Sequence, residues 1–246
     1  KAYTTRASDQ SEHTEFDNTK IIEEILSLRH EMAQLLGFKN YAELSLASKM
    51  APDVETVDKF LVDLAEHARA PATQEIAELK AIASQDGVQE LQPWDTGYYS
   101  EKLKVQQFNL SQESLKPYFP APKILQGLFS IVNRLYGINI VEREAPVWHS
   151  DARYFELEDQ GNVVGGFYFD LYARSGKRGG AWMSGFRSRM QTKNGLQKPI
   201  CYMVCNFTPA VGDQPALLTH DEVNTLFHEF GHGLHHMLTE VDHIAV

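Results

Sequence analysis

Cysteine is scarce in this chain. Cys201 and Cys205 are the only two in 246 residues, too few for the disulfide framework of a small secreted domain and suited to a reducing compartment. They lie in a run, 199–207, that reads as a strand, where a separation of four puts both on one face. The expectation is a pair of packed, reduced thiols. Basic charge is also short. The 23 Lys and Arg against 33 Asp and Glu leave a net charge of −10, which argues against a nucleic-acid ligand and against a basic helix on a membrane surface. It mildly favours basic substrates. No apolar run approaches the ~20 residues of a membrane span, and nothing resembles a signal peptide. The first residue is Lys1 rather than Met, as expected of a processed chain or a piece of a longer one. These absences describe a cytoplasmic protein without a membrane or nucleic-acid partner, and 43% hydrophobic residues suffice to build a core.

Residues 1–150 read as a helical region. Ile21, Ile25, Leu28, Met32 and Leu35 recur at helical spacing over 17–36, and Gly37 is a suitable stop. Val57, Phe60, Leu61, Leu64 and Ala68 repeat the pattern up to Pro71, beyond which a second helix or a kinked continuation runs to about Ser84. Ile124, Leu125, Leu128, Phe129, Val132 and Leu135 form a third stripe closed by Gly137. Each stripe is expected to face a core. The character then changes. Segments 138–141, 153–157 and 163–172 are rich in β-branched and aromatic residues, and Asp159-Gln160-Gly161-Asn162 reads as a hairpin turn. A loop at 176–180 and a strand at 200–206 follow. Thr219 and Glu222 form a T-x-x-E capping box at the start of a last helix. The expected fold class is α+β, predominantly helical, with a small mixed or antiparallel sheet preceding that helix. Residues 151–246 are expected to form the second domain.

The last helix carries His228-Glu229-Phe230-Gly231-His232, which reads H-E-x-x-H. Positions i and i+4 fall about 40° apart on one helix face. Two imidazoles there suit one Zn²⁺, and Glu229 is placed to take a proton from a water that attacks a peptide carbonyl. Gly231, inside the motif, is expected to allow close packing on the sheet. A surface helix with two exposed histidines is the competing reading, and apolar Leu226, Phe227 and Phe230 count against it. A catalytic zinc normally takes a third protein ligand. His235 shares the face of His228 but lies about 10.5 Å along the axis, too far for one ion, so it is expected to support the site or touch substrate. His236 points elsewhere. Glu240, Asp242 and His243 follow the helix and are candidates to fold back. The third histidine of metzincins is absent, since Leu238 stands in its place.

The run THDEVNTLFHEFGHGLHHM at 219–237 resembles the zinc oligopeptidases of the thimet oligopeptidase family, the bacterial members most closely. So do Leu91-Gln92-Pro93-Trp94-Asp95 with Tyr98-Tyr99-Ser100, the block at 166–174, Lys177-Arg178-Gly179-Gly180-Ala181-Trp182, Gly37-Phe38 with Asn40-Tyr41-Ala42, and Trp148-His149. These blocks span nearly the whole chain. The resemblance implies a zincin-like, mainly helical, two-lobed cytosolic metalloendopeptidase. Its deep channel admits only short peptides, cleaved signal peptides among them. It implies His228 and His232 as zinc ligands and Glu229 as the catalytic carboxylate. By the same analogy, strand 165–172 and the loop holding Gly179 and Gly180 lie near the cleft and guide the substrate backbone. Family members are more than twice as long, and their third zinc ligand is a Glu on the next helix, about two dozen residues past the second His. Only fourteen residues follow His232 here. The expectation is therefore a central fragment with a weakened or empty metal site and little activity alone. Exposed apolar surface would then favour self-association. Two other readings stay open. One is a non-catalytic peptide- or metal-binding domain. The other is a complete small metallopeptidase that uses Glu240 or Asp242 as third ligand.

Overall fold

The computed structural model describes residues 7–11, 14–212 and 214–244. The chain divides into two compact units, Lys1–Phe108 and Asn109–Val246.

The first unit is helical: α1 Thr19–Leu35, α2 Tyr41–Leu46, α3 Val54–Gln85 and α4 Thr96–Phe108. Asp53 caps α3 by accepting the Thr56 N–H at 2.7 Å, one of the donors a helix start leaves unpaired. Pro71 does not divide this helix; of the two expected outcomes, a second helix or a continuation, the helix continues, and α3 runs for 32 residues. One missing N–H is a local loss, and long helical segments on both sides carry the chain across it. The core of this unit is small. Leu79, Ile82, Ala83 and Tyr99 are buried, with Val88, Leu91 and Leu103 packed around them. The apolar stripes of α1 and of the first half of α3 are not core: Leu28, Leu35, Phe60 and Leu61 are all more than half exposed.

The second unit begins with α5 Gln112–Leu115 and α6 Ala121–Tyr136, followed by β1 Asn139–Arg143, β2 Arg153–Asp159, β3 Asn162–Tyr172, β4 Trp182–Arg187, β5 Met190–Thr192, β6 Gly195–Gln197, β7 Ile200–Phe207 and α7 His220–Met237. Five strands form one mixed sheet in the order β1-β2-β3-β7-β4. β3 and β7 are parallel and the other neighbours antiparallel. β5 and β6 pair separately. The expected turn joins β2 to β3: Asp159 pairs with Asn162, and Gln160 and Gly161 both take positive φ (47° and 81°), as a two-residue turn matching the strand twist requires.

Period-two alternation sorts the sheet into two faces. Phe155, Leu157, Phe167, Phe169, Leu171, Cys201, Met203 and Cys205 share a core with Leu125, Leu128 and Val132 of α6 and with Leu226, Phe230 and Met237 of α7. The rings of Phe155 and Phe167 stack at 5.1 Å. The opposite face carries Tyr154, Tyr168 and Tyr202, whose rings contact one another or Trp148. Because α6 packs on the sheet, the compact units divide after Phe108 rather than at the composition change near 150.

Candidate metal centre

The H-E-x-x-H helix is anchored at both ends and in the middle. Thr219 Oγ1 accepts the Glu222 N–H at 3.1 Å, and Glu222 Oε2 accepts the Thr219 N–H at 2.8 Å, closing the expected capping box. Glu222 Oε1 also accepts the Thr208 N–H, just past β7, at 3.3 Å. In the middle, Phe230 inserts among the core rings, 5.4 Å from Phe167 and 6.0 Å from Phe169. The close approach of helix to sheet occurs at Gly233, not at Gly231. A Cβ on Gly233 would stand 2.7 Å from Met203 Sδ, whereas one on Gly231 would meet nothing. At the far end His236 Nε2 lies 2.8 Å from the Arg187 carbonyl oxygen and donates to it. Its ring also covers Gly185, where an added Cβ would stand 3.0 Å from His236 Cε1.

This anchoring fixes which residues face outward. His228 and His232 are exposed, and their Nε2 atoms approach to 3.1 Å with the rings nearly perpendicular. Two Nε2 atoms at that distance need either one N–H and one lone pair or two lone pairs aimed at a shared cation. Two ligands at ~2.1 Å on a tetrahedral zinc stand about 3.4 Å apart, so the pair fits zinc in donor type and in convergence. Glu229, one position on, turns inward and is 9% exposed. It lies near β7: burial pushes the Cys205 thiol up to about 12, and the Glu229 carboxylate adds to the shift. Burial alone does the same to Cys201, also to about 12. Both cysteines are free and buried, as expected.

A third donor does not join the pair. Among the described residues no group of three His, Cys, Asp or Glu converges on a possible metal position. Asp242 is committed elsewhere, its Oδ1 accepting from Arg189 Nε at 2.7 Å and its carbonyl from the Gln191 N–H at 3.1 Å. Glu240 and His243 are exposed. His235, also exposed, lines a cavity of about 330 Å³ with His232, His236, Met183, Arg189 and His243.

The family model of peptidase family M3 matches residues 1–246. This chain is a member of peptidase family M3. It is 55% identical to oligopeptidase A of Escherichia coli across its whole length, covering 37% of that protein. It is 46% identical to a probable cytosolic oligopeptidase A of Arabidopsis thaliana, with 98% of the chain and 35% of the relative aligned. Against the dipeptidyl carboxypeptidase of Escherichia coli it is 40% identical, with 89% of the chain and 32% of the relative aligned. The chain thus spans 32–37% of the length of these M3 relatives.

One expectation about the surroundings of this M3 motif changes. Strand 165–172 cannot guide a peptide backbone, because β3 lies between β2 and β7 and both neighbours take its hydrogen bonds. Gly179 and Gly180 are exposed but do not line the cavity beside His232. Their loop is pinned by Asn206 Nδ2, which donates to the Arg178 and Gly180 carbonyls at 2.8 and 2.6 Å. The sequence reading missed β4. It forms one end of the sheet, bonded to β7 alone among the described strands, and α7 is tied to it through His236. The alternation of Trp182 and Ser184 with Met183 and Gly185 was its available signal.

Proposed function

We propose that this chain carries the metal-binding helix and substrate-aligning sheet of a zincin-like metalloendopeptidase that hydrolyses internal bonds of short peptides. The observation that carries the reading is the convergence of the His228 and His232 Nε2 atoms at 3.1 Å, beside a buried glutamate, on a chain of peptidase family M3. The two histidines hold Zn²⁺, which when bound acidifies water and polarises a carbonyl. Glu229 accepts the proton of the attacking water and hands it to the leaving amine. The core rings around Phe230 keep that carboxylate on a rigid wall. β4 pairs with β7 alone among the described strands, and an extended peptide adds along its outer edge as a further strand. His235 contacts the bound peptide from the neighbouring cavity. Two buried, reduced thiols and a net charge of −10 support a cytoplasmic setting. Among the described residues no helix is long and apolar enough to cross a membrane. The exposed apolar stripe of α1 supports self-association of the isolated chain, and a monodisperse monomer across a dilution series would count against that.

Chelator competition at neutral pH tests the metal assignment. The chain should bind one zinc, more weakly than a three-ligand site, and His228→Ala or His232→Ala should abolish it. Zinc binding left unchanged by both substitutions would sink the reading. Glu229→Gln should bind zinc as the parent does, because Glu229 is assigned to proton transfer and not to the ion.

A further inference from the structure

The face of the sheet turned away from α7 holds a second cavity, a shallow one of about 290 Å³ that is wide open to solvent. Its walls are Trp148, Trp182 and Tyr202, and Val204 is buried beside them. Trp148 is held in place twice: its ring meets Tyr202 edge-on at 5.4 Å, and its Nε1–H donates to Asp170 Oδ2 at 2.9 Å. Asp170 is 3% exposed and completely occupied. Arg174 donates to both of its oxygens, at 2.6 and 2.7 Å, and Lys177 Nζ donates to Oδ1 and to the Asp170 carbonyl, both at 2.9 Å. These bonds fix the cavity wall and engage the donors of Arg174 and Lys177, with the one carboxylate of Asp170 balancing one of the two positive charges.

A further cation at this cavity has no carboxylate of its own. Arg178 is exposed, its guanidinium lies 5.8 Å from the centre of the Trp182 ring, and among the described residues no carboxylate pairs with it. An aromatic cavity with an uncommitted guanidinium at its rim suits an apolar group that carries a carboxylate. The adjoining β4 selects the kind of molecule. Trp182 is its first residue, and a peptide added along its outer edge would direct alternate side chains to the face of Trp182 and Ser184.

We propose that this cavity binds the C-terminal residue of a short peptide, with its apolar side chain between Trp148 and Trp182 and its α-carboxylate on Arg178. The site is separate from the histidine pair. It rests on the reading of β4 as a peptide-binding edge only for the choice of a peptide over other apolar carboxylates.

The test uses the ¹⁵N-labelled chain and its three indole N–H signals, from Trp94, Trp148 and Trp182, assigned with Trp94→Phe and Trp182→Phe. The probes are N-acetyl-L-phenylalanine, N-acetyl-L-phenylalaninamide and 3-phenylpropanoate. N-acetyl-L-phenylalanine should shift the Trp148 and Trp182 signals saturably and leave Trp94 unmoved. It should bind about tenfold more tightly than the amide, the factor expected of one charge-assisted hydrogen bond. Arg178→Gln, at an exposed position, should keep a folded amide spectrum and erase that preference. No saturable shift, or equal binding of acid and amide, overturns the site. Binding of 3-phenylpropanoate as tight as that of N-acetyl-L-phenylalanine overturns the peptide assignment. His228→Ala should titrate like the parent, so a failure of the zinc reading and a failure here are distinguishable.

Discussion

Residues 1–108 and residues 109–246 both carry apolar stripes at helical spacing, yet they use them differently. On α6, Leu125, Leu128 and Val132 are each 6% exposed or less, because a five-stranded sheet lies against them. On α1, Ile21, Ile25, Leu28 and Met32 recur at the same spacing and are 42–55% exposed. Periodicity shows that a helix has an apolar face. It does not show what that face meets. A stripe becomes core only where a second layer of the chain presents matching rings, as Phe155, Phe167 and Phe169 do for Phe129 and Phe230.

Truncation series should break the two regions apart. Phe167→Ala, at a ring with no exposed surface, should cost about 3–5 kcal/mol in urea unfolding followed by tryptophan fluorescence. Leu28→Ala, 55% exposed, should stay within about 0.5 kcal/mol. Similar costs at the two sites would mean that the α1 stripe is buried in solution by self-association. The next effect sharpens the contrast within a single helix. Gly233→Val drives a side chain into Met203 Sδ, which is itself fully buried, and should destabilise by about 1–3 kcal/mol. Gly231→Ala meets open space and should stabilise by up to about 1 kcal/mol. Thr219→Ala removes one arm of the capping box and should cost about 0.5–2 kcal/mol, read from the same transitions.

The last contrast is one of pH and belongs to Asp170. Burial opposes its ionisation, but the hydrogen bonds from Arg174, Lys177 and Trp148 outweigh it and hold the carboxyl well below the usual carboxylate range. A depressed folded pKa contributes stability that is fully present above the unfolded value near about 4 and is lost as pH falls below it. The urea midpoint of the parent should therefore decline steadily from about pH 4 into stronger acid. Asp170→Asn should flatten that decline. Identical acid slopes for the two proteins would mean that Asp170 is not ionised in the fold.

The motif helix was legible almost to the residue, because its signals are local: a Thr219 cap with Glu222 three places on, an apolar face, and the i, i+4 histidines. The β2–β3 turn was legible for the same reason, since Gln160-Gly161 is chemistry contained within four residues. What escaped the sequence is non-local. Gly231 and Gly233 look alike in a string of residues, and only the position of Met203 on β7 separates them. β4 contains Ser184 and Gly185 and has weak strand character of its own; pairing with β7 makes it a strand. At Pro71 a second helix and a continuation both stayed open, because local propensity counts the missing hydrogen bond and not the helix on either side. The hub at Asp170 draws Trp148 from 22 residues upstream, a pairing that no periodicity contains.

The two buried thiols give this layer a clock. Only a thiolate reacts at a useful rate, and Cys201 and Cys205 have neither exposed surface nor an accessible thiolate near neutrality. The folded chain is therefore silent to iodoacetamide. Each alkylation event records a moment when β7 has parted from the helix that bears the histidines. The labelling rate counts those openings, and any ligand that clamps the helix to the sheet will make the clock run slow.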